Sequence, residues 1–262
     1  MERILSKDNE LIKEAKKLKE KKYRTEKQKF IAEGFRLCSE ALLSDFIVPY
    51  VFVSEESIDR WESFQIKSKI QKITRVFEVP YAILKSICST DTPQGIAAIV
   101  NIRKNDMILK DGLYVLADKI QDPGNMGTII RTAHAAGALG VLMTKGTVDI
   151  YNEKVLRSTM GSVFHIPVTE DDGLINLNKL KQNNFKLVVS SLKAEKNFYD
   201  VKLNNKTVIA VGNEGSGISK KIYDAADMTV KIPMAGGAES LNVAVAASVM
   251  IYEYVRQIFE NA

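Results

Sequence analysis

From residue 112 onward the sequence repeats one unit: a short apolar run, a turn, and a stretch with helical spacing. The runs at 113–117, 140–143, 186–190 and 207–211 lack the polar alternation of a half-exposed strand, and 228–232 is read as a further strand of the same set. A strand without a solvent face must be covered on both sides, which is the condition of a parallel sheet layered between helices. Right-handed crossovers are expected between them.

The preceding residues alternate strand and helix less regularly. Strands are predicted at 29–32, 48–53, 75–79 and 95–102, and helices at 35–42 and 58–64 and after Pro80. Ser6 can cap an earlier helix carrying Leu11, Ala15 and Leu18. The polar stretch 103–112 reads as a linker. With 262 residues there is room for two domains, placed at 1–103 and 113–262 around a linker at 104–112.

Composition narrows the class. Hydrophobic residues make up 45% and charged residues 26%, which excludes a disordered or coiled-coil chain. No run approaches the roughly 18 apolar residues of a membrane span. The charged opening lacks the pattern of a signal peptide, so a cytoplasmic protein is expected. Cys38 and Cys88 read as reduced core thiols, and with only His134 and His165 besides, no metal site is expected.

Charge is unevenly distributed. Residues 1–30 hold eleven Lys/Arg against six Asp/Glu, an excess equal to the net charge of +5 for the whole chain. A basic segment on a neutral body suits a polyanion, because each phosphate neutralised releases counterions. A solvated helix face with Glu10, Lys13, Glu14 and Lys17 paired along it accounts for the same residues equally simply.

Three segments look chemical. In QDPGNMGTIIRTAHAAGA (121–138), Asn125 can cap a helix that carries Arg131 within its first two turns, over the bare face left by Gly127. Arg131 then either meets a substrate anion or pairs with Asp118 or Asp122. In VIAVGNEGSGIS (208–219) an apolar strand runs into Gly212, Gly215 and Gly217, where ligands approach the carboxyl ends of parallel strands. The order GxxGxG is not the GxGxxG of a dinucleotide fold, which weakens a nicotinamide reading. Asn213 and Glu214 are there as caps or as ligand-site groups. In the third segment (232–259), Ser240 is expected to start a helix that is apolar almost all round, hence buried on all sides or a dimer interface. Ser240 and Asn242 at its mouth need polar partners.

Together these segments resemble the three motifs of the SpoU (TrmH-type) RNA 2′-O-ribose methyltransferases of the SPOUT superfamily. Asn125 and Arg131 match the first, Gly212, Asn213, Glu214, Gly215 and Gly217 the second, and 232–246 the third. KFIAEGFRLCSEAL (29–42) and STDTPQGIAAIV (89–100) resemble the ribosomal-protein-L30e-like substrate-binding domain that precedes many catalytic domains of the family. The resemblance implies an α/β/α sandwich followed by an α/β parallel-sheet domain with a trefoil knot. It further implies S-adenosyl-L-methionine as cofactor, a homodimer, and a structured RNA substrate, ribosomal rather than transfer RNA; a tRNA enzyme or a non-catalytic assembly factor is the alternative.

By the same resemblance Arg131, Asn125, Glu214, Ser240 and Asn242 carry catalysis. Leu192, Gly212, Asn213, Gly217, Ile232, Met234 and Leu241 hold the cofactor. Lys21, Lys22, Arg24 and Lys27, with Arg157 in the connecting segment 151–168, contact RNA. A guanidinium stays protonated in proteins, so Arg131 is expected to clamp a phosphate and orient the ribose rather than accept its proton. His134 departs from the family, where many relatives carry an acid.

Overall fold

In the computed structural model, which describes residues 1–259, the chain divides into two units. They are Met1–Lys104 with Asp149–Phe164, and Asn105–Val148 with His165–Ala262. Sequence reasoning assigns 149–164 to the second domain, whereas its side chains pack in the first unit.

The first unit is built on a mixed five-stranded sheet in the order β1-β4-β3-β5-β2. Its strands are β1 (Glu2–Arg3), β2 (Lys29–Glu33), β3 (Tyr50–Ser54), β4 (Arg75–Val79) and β5 (Ile96–Asn101). Around it lie α1 (Glu10–Lys17), α2 (Lys21–Lys27), α3 (Phe35–Leu43), α4 (Ile58–Ser63), α5 (Ile66–Lys69), α6 (Tyr81–Ile87) and, from the returning segment, α8 (Glu153–Thr159). Successive strand residues point to opposite faces, and the strands here are apolar on both. Phe30, Ala32, Val51, Val53, Ile96, Ala98 and Val100 face α3 together with Leu156, Val163 and Phe164. Ile31, Phe52, Phe77, Ala97 and Ile99 face Ile12 and Ala15 of α1, Leu18 at its C-cap, and Ile83, Leu84 and Ile87 of α6.

Tyr151 stacks on Phe30 with ring centroids 4.5 Å apart, so the returning segment completes this core. The two-residue strand β1, parallel to β4, has no sequence signal because it is too short to alternate. The cap of α1 is Asn9, whose Oδ1 accepts Leu11 N–H at 2.9 Å, while Ser6 accepts Asp8 N–H one turn earlier.

Arg24 corrects an expectation. It is buried, its Nε and Nη2 donate to Asp149 Oδ2 at 3.1 and 2.6 Å, and Nη1 donates to the carbonyls of Leu18 and Lys19 at 2.8 and 2.7 Å. A guanidinium so engaged holds the end of α1 to the returning segment and offers nothing to an RNA phosphate. Cys38 and Cys88 are buried, and burial pushes both thiols up, Cys38 well above the ordinary range, so they are unreactive.

The second unit has a fully parallel six-stranded sheet in the order β11-β9-β10-β6-β7-β8. The strands are β6 (Gly112–Asp118), β7 (Gly140–Met143), β8 (Val168–Glu170), β9 (Lys186–Ser190), β10 (Lys206–Gly212) and β11 (Met228–Val230). Helices α7 (Pro123–Ala135), α9 (Ile175–Gln182), α10 (Lys220–Asp224) and α11 (Val243–Phe259) connect or cover them. Thr132 of α7 and Ser248 of α11 meet at 3.2 Å. The last helix begins at Val243 behind a capping Asn242, not at Ser240. Nor is it buried on all sides: Ala247, Met250 and Ile251 are inside, but Val245 and Tyr252 are 49% and 50% exposed. Among the described residues no helix is long and apolar enough to cross a membrane.

Candidate active site

Parallel strands open a crevice where their carboxyl ends meet glycine turns. Here β6 ends at Asp118 in register with Gly212, the last residue of β10. Asp118 is buried; its Oδ1 accepts Thr144 Oγ1 at 2.7 Å and its Oδ2 accepts Ser219 N–H at 2.6 Å. One carboxylate thus ties the loop after β10 to the ends of β6 and β7, a role for which the sequence carries no signal.

That loop folds back on itself. Asn213 and Gly217 exchange backbone hydrogen bonds at 3.1 and 2.9 Å, and Asn213 Oδ1 accepts the N–H groups of Gly215 and Ser216. A methyl group on Gly212 would sit 2.3 Å from Gly217 C and Ile218 N, so only glycine lets the chain return so closely. Gly217 has φ +69°, in the left-handed region.

Glu214 reaches from the loop to the turn before α7. Its oxygens accept the N–H groups of Gln121 and Asp122 at 3.3 and 3.2 Å and Asn125 Nδ2 at 3.0 Å. Burial raises its carboxyl, but the Asn125 and backbone hydrogen bonds outweigh that and hold it below the ordinary carboxylate value.

An ionised carboxylate can only accept, which fixes the polarity of everything beyond it. Asn125 must give its amide nitrogen to Glu214 and keep its oxygen for Asn242 Nδ2 at 2.9 Å. Asn242 then has its own oxygen left for the first N–H groups of α11, Ala244 at 2.9 Å and Val245 at 3.3 Å. Asn125 does not cap α7; Asp122 does, accepting Asn125 N–H at 2.8 Å. With Asp118 and Asp122 so engaged, neither pairs with Arg131.

Beside this chain lies a cavity of about 950 Å³. Leu192, Gly212, Asn213, Gly217, Ile232, Met234 and Leu241 all line it, as do Glu214, Ser240 and Asn242. Ser240 makes no side-chain hydrogen bond among the described residues. Sequence reasoning missed Ser190, Ser191, Lys193, Tyr223 and Lys231 in the lining; proximity to the ends of β9 and β11 was the only signal for all but Tyr223, which lies on α10.

Arg131 and Asn125 do not line the cavity. Arg131 is exposed on α7, about 9 Å along the helix axis from Asn125, with no hydrogen bond or ion pair among the described residues. One turn on, His134 stacks on His165 at 5.3 Å between centroids. In the first unit Lys21, Lys22, Lys27 and Arg157 are exposed; Lys27 pairs with Glu26 at 3.2 Å and lies over the Tyr23 ring.

Residues 112–252 match the SpoU rRNA Methylase family, and residues 9–98 match the MRM3-like substrate binding domain. The chain is 35% identical over 252 residues to the 23S rRNA (guanosine(2553)-2′-O)-methyltransferase RlmP of Bacillus subtilis (strain 168), covering 96% of this chain and 98% of that one. It is 29% identical over 245 residues to the 23S rRNA (uridine(2479)-2′-O)-methyltransferase of Streptomyces viridochromogenes, covering 89% and 85%. The AdoMet-bound rRNA methyltransferase from Sinorhizobium meliloti superposes with a TM-score of 0.86 at 29% identity over 98% of both chains. The sheet order, the returning glycine loop and these matches place the catalytic unit in the SPOUT methyltransferase fold, with its trefoil knot. This chain belongs to the SpoU rRNA methylase family.

Proposed function

We propose that this protein transfers a methyl group from S-adenosylmethionine to a ribose 2′-hydroxyl of large-subunit ribosomal RNA. The observation that carries the reading is the one-way hydrogen-bond chain from Glu214 through Asn125 and Asn242 to the start of α11, set against the glycine-walled cavity. The relatives named as 23S rRNA 2′-O-methyltransferases support the substrate class. A ribosomal substrate agrees with the expected cytoplasmic location.

The cavity fits the cofactor. One wall is the returning glycine loop, and Ile218, Ile232, Met234 and Leu241 supply apolar surface. When bound, the cofactor supplies an electrophilic methyl group. The protein's own task is placement and exclusion of water. Arg131 holds the phosphate of the target nucleotide and turns its ribose toward the cavity. Asn125 and Glu214 keep the start of α7, and so Arg131, in register with the glycine loop. The 2′-hydroxyl proton leaves to water or to the neighbouring phosphate, since Arg131 cannot accept it and both Glu214 oxygens already serve N–H donors. Lys21, Lys22, Lys27 and Arg157 bind RNA phosphates that set the orientation of the substrate.

The test is transfer of labelled methyl from S-adenosylmethionine to ribosomal RNA from cells lacking this protein, followed by mass spectrometry of the nucleosides. One 2′-O-methylated nucleoside from large-subunit RNA is the expected result. Incorporation only into transfer RNA would move the substrate, and cofactor binding without transfer to any RNA or subunit would leave a binding factor.

Two loop variants probe the cofactor side. Gly212→Ala forces the 213–217 turn outward and should weaken cofactor binding by about one to two orders of magnitude in calorimetry. Glu214→Gln puts amide hydrogens toward N–H donors and should raise the cofactor Kd by roughly tenfold. Because the folded carboxyl is lowered, its contribution is complete above the ordinary carboxylate value and is lost only as pH falls through the lowered one. The wild-type unfolding midpoint should therefore keep this contribution through mild acid and lose it below, whereas the Gln variant should lack that part of the acid loss.

The catalytic unit works as a homodimer. Val245, Val249 and Tyr252 form a partly exposed apolar stripe at spacings of four and three along α11, which a second copy would cover. Tyr252→Glu should give a monomer in analytical ultracentrifugation; an unchanged sedimentation coefficient would place any dimer contact elsewhere.

A further inference from the structure

Lys193, Lys220 and Lys231 line the cavity with Glu214, Asp224 and Glu239, and the charges balance in number but not in pairing. Of the lining carboxylates, Glu214 is committed to Asn125 and two backbone N–H groups, and Asp224 pairs with Lys220 at 2.6 Å. Lys193 and Lys231 remain, against Glu239 alone. Neither lysine side chain makes a hydrogen bond or ion pair among the described residues. S-adenosylmethionine is itself a net cation, with a sulfonium and an ammonium against one carboxylate. It brings no surplus anion to Lys193 and Lys231, whose ammonium donors stay free for an oxyanion.

The two lysines are held in fixed relation. Lys231 directly follows β11 and Lys193 lies three residues past β9, strands paired with Val230 opposite Ser190. Ser191 N–H donates to Val230 O, Lys231 N–H to Lys196 O and Phe198 N–H to Lys231 O, each at 2.9 Å. The backbone on both sides of the pair is thereby pinned. Lys193 is exposed beside Leu192, which is 64% exposed, so this end of the cavity is open to an entering strand.

We propose that Lys193 and Lys231 form an oxyanion subsite at the β9/β11 end of the cavity. Its ligand is the backbone phosphate next to the target ribose; the methionyl carboxylate of the cofactor is the other source of the same chemistry. The subsite rests on the methyltransferase reading and adds a second phosphate contact to that of Arg131. A phosphate held there would set how far the strand enters the cavity, and with it which 2′-hydroxyl is presented.

The experiment uses the full chain carrying Lys193→Ala and Lys231→Ala together, beside a Lys193→Arg and Lys231→Arg control that keeps the charge. Three probes are titrated: S-adenosylhomocysteine, 5′-methylthioadenosine, which lacks the carboxylate, and protein-free 23S ribosomal RNA over a range of salt. The phosphate subsite requires the RNA Kd of the Ala pair to rise about tenfold and its log-log salt slope to flatten by about one, with both nucleosides bound as in wild type and the Arg pair near normal. Loss confined to S-adenosylhomocysteine, with 5′-methylthioadenosine unaffected, assigns the subsite to the cofactor carboxylate. Unchanged binding of all three probes overturns the proposal. A wild-type chain that binds neither nucleoside overturns the methyltransferase reading first, and the subsite with it.

Discussion

Arg131→Ala should lower single-turnover methyl transfer by about three orders of magnitude while leaving the cofactor Kd within about threefold. The asymmetry follows from position. Arg131 is exposed on α7, does not line the cofactor cavity and binds no other described group. Truncating it therefore leaves no buried partner exposed, and alanine is a better helix former, so the fold should lose at most about half a kcal/mol. What disappears is a rigid, forked cation held on a helix whose first turn is locked to the glycine loop by Glu214 and Asn125. Arg131→Lys keeps the charge but not the fork, and should recover only part of the rate, with roughly a hundredfold deficit remaining. Turnover near wild type in the alanine variant would remove Arg131 from the reaction and leave its exposure as that of an ordinary surface side chain.

How much of this could be read beforehand depended on whether the cause was local. The parallel strands were legible because a run such as 208–211 has no polar residue to face water. The glycine loop was legible because Gly212 and Gly217 stand where a strand must turn sharply. The seven cofactor positions, six in the family motifs and Leu192 just past β9, fall on one cavity because they follow strands that end side by side. What escaped was decided by partners far away in sequence. Asp118 looked like a possible partner for Arg131, yet it serves Thr144 and Ser219, the latter 101 residues on. Asn125 looked like a cap, but Asp122 takes that position and frees Asn125 to join Glu214 to Asn242. The segment 149–164 was assigned to the catalytic domain by adjacency, although Tyr151, Leu156, Val163 and Phe164 find apolar cover on the first unit's sheet. Counting charge along the chain could not separate Arg24 from the lysines around it, because Asp149 lies 125 residues away.

Arg24→Ala should destabilise the first unit by about 3–5 kcal/mol. The Arg24 and Asp149 side chains are 7% and 16% exposed, so removing the guanidinium strands a carboxylate with little access to water. It also strips the donor from the Leu18 and Lys19 carbonyls just past α1. At roughly 2–4 °C per kcal/mol for a chain of this size, the midpoint of thermal unfolding should fall by about 10 °C. Arg24→Met with Asp149→Leu removes both charges at similar volume and should lose much less than Arg24→Ala, because most of the penalty lies in the unpaired acid rather than in the missing contact. RNA binding provides the decisive contrast. Measured below the unfolding temperature, Arg24→Ala should keep the wild-type salt slope, since its charge is already spent on Asp149. A slope shallower by about one would mean that Arg24 leaves its partner for a phosphate when RNA binds. The buried pair would then be a latch opened by the substrate instead of a fixed joint between α1 and the returning segment.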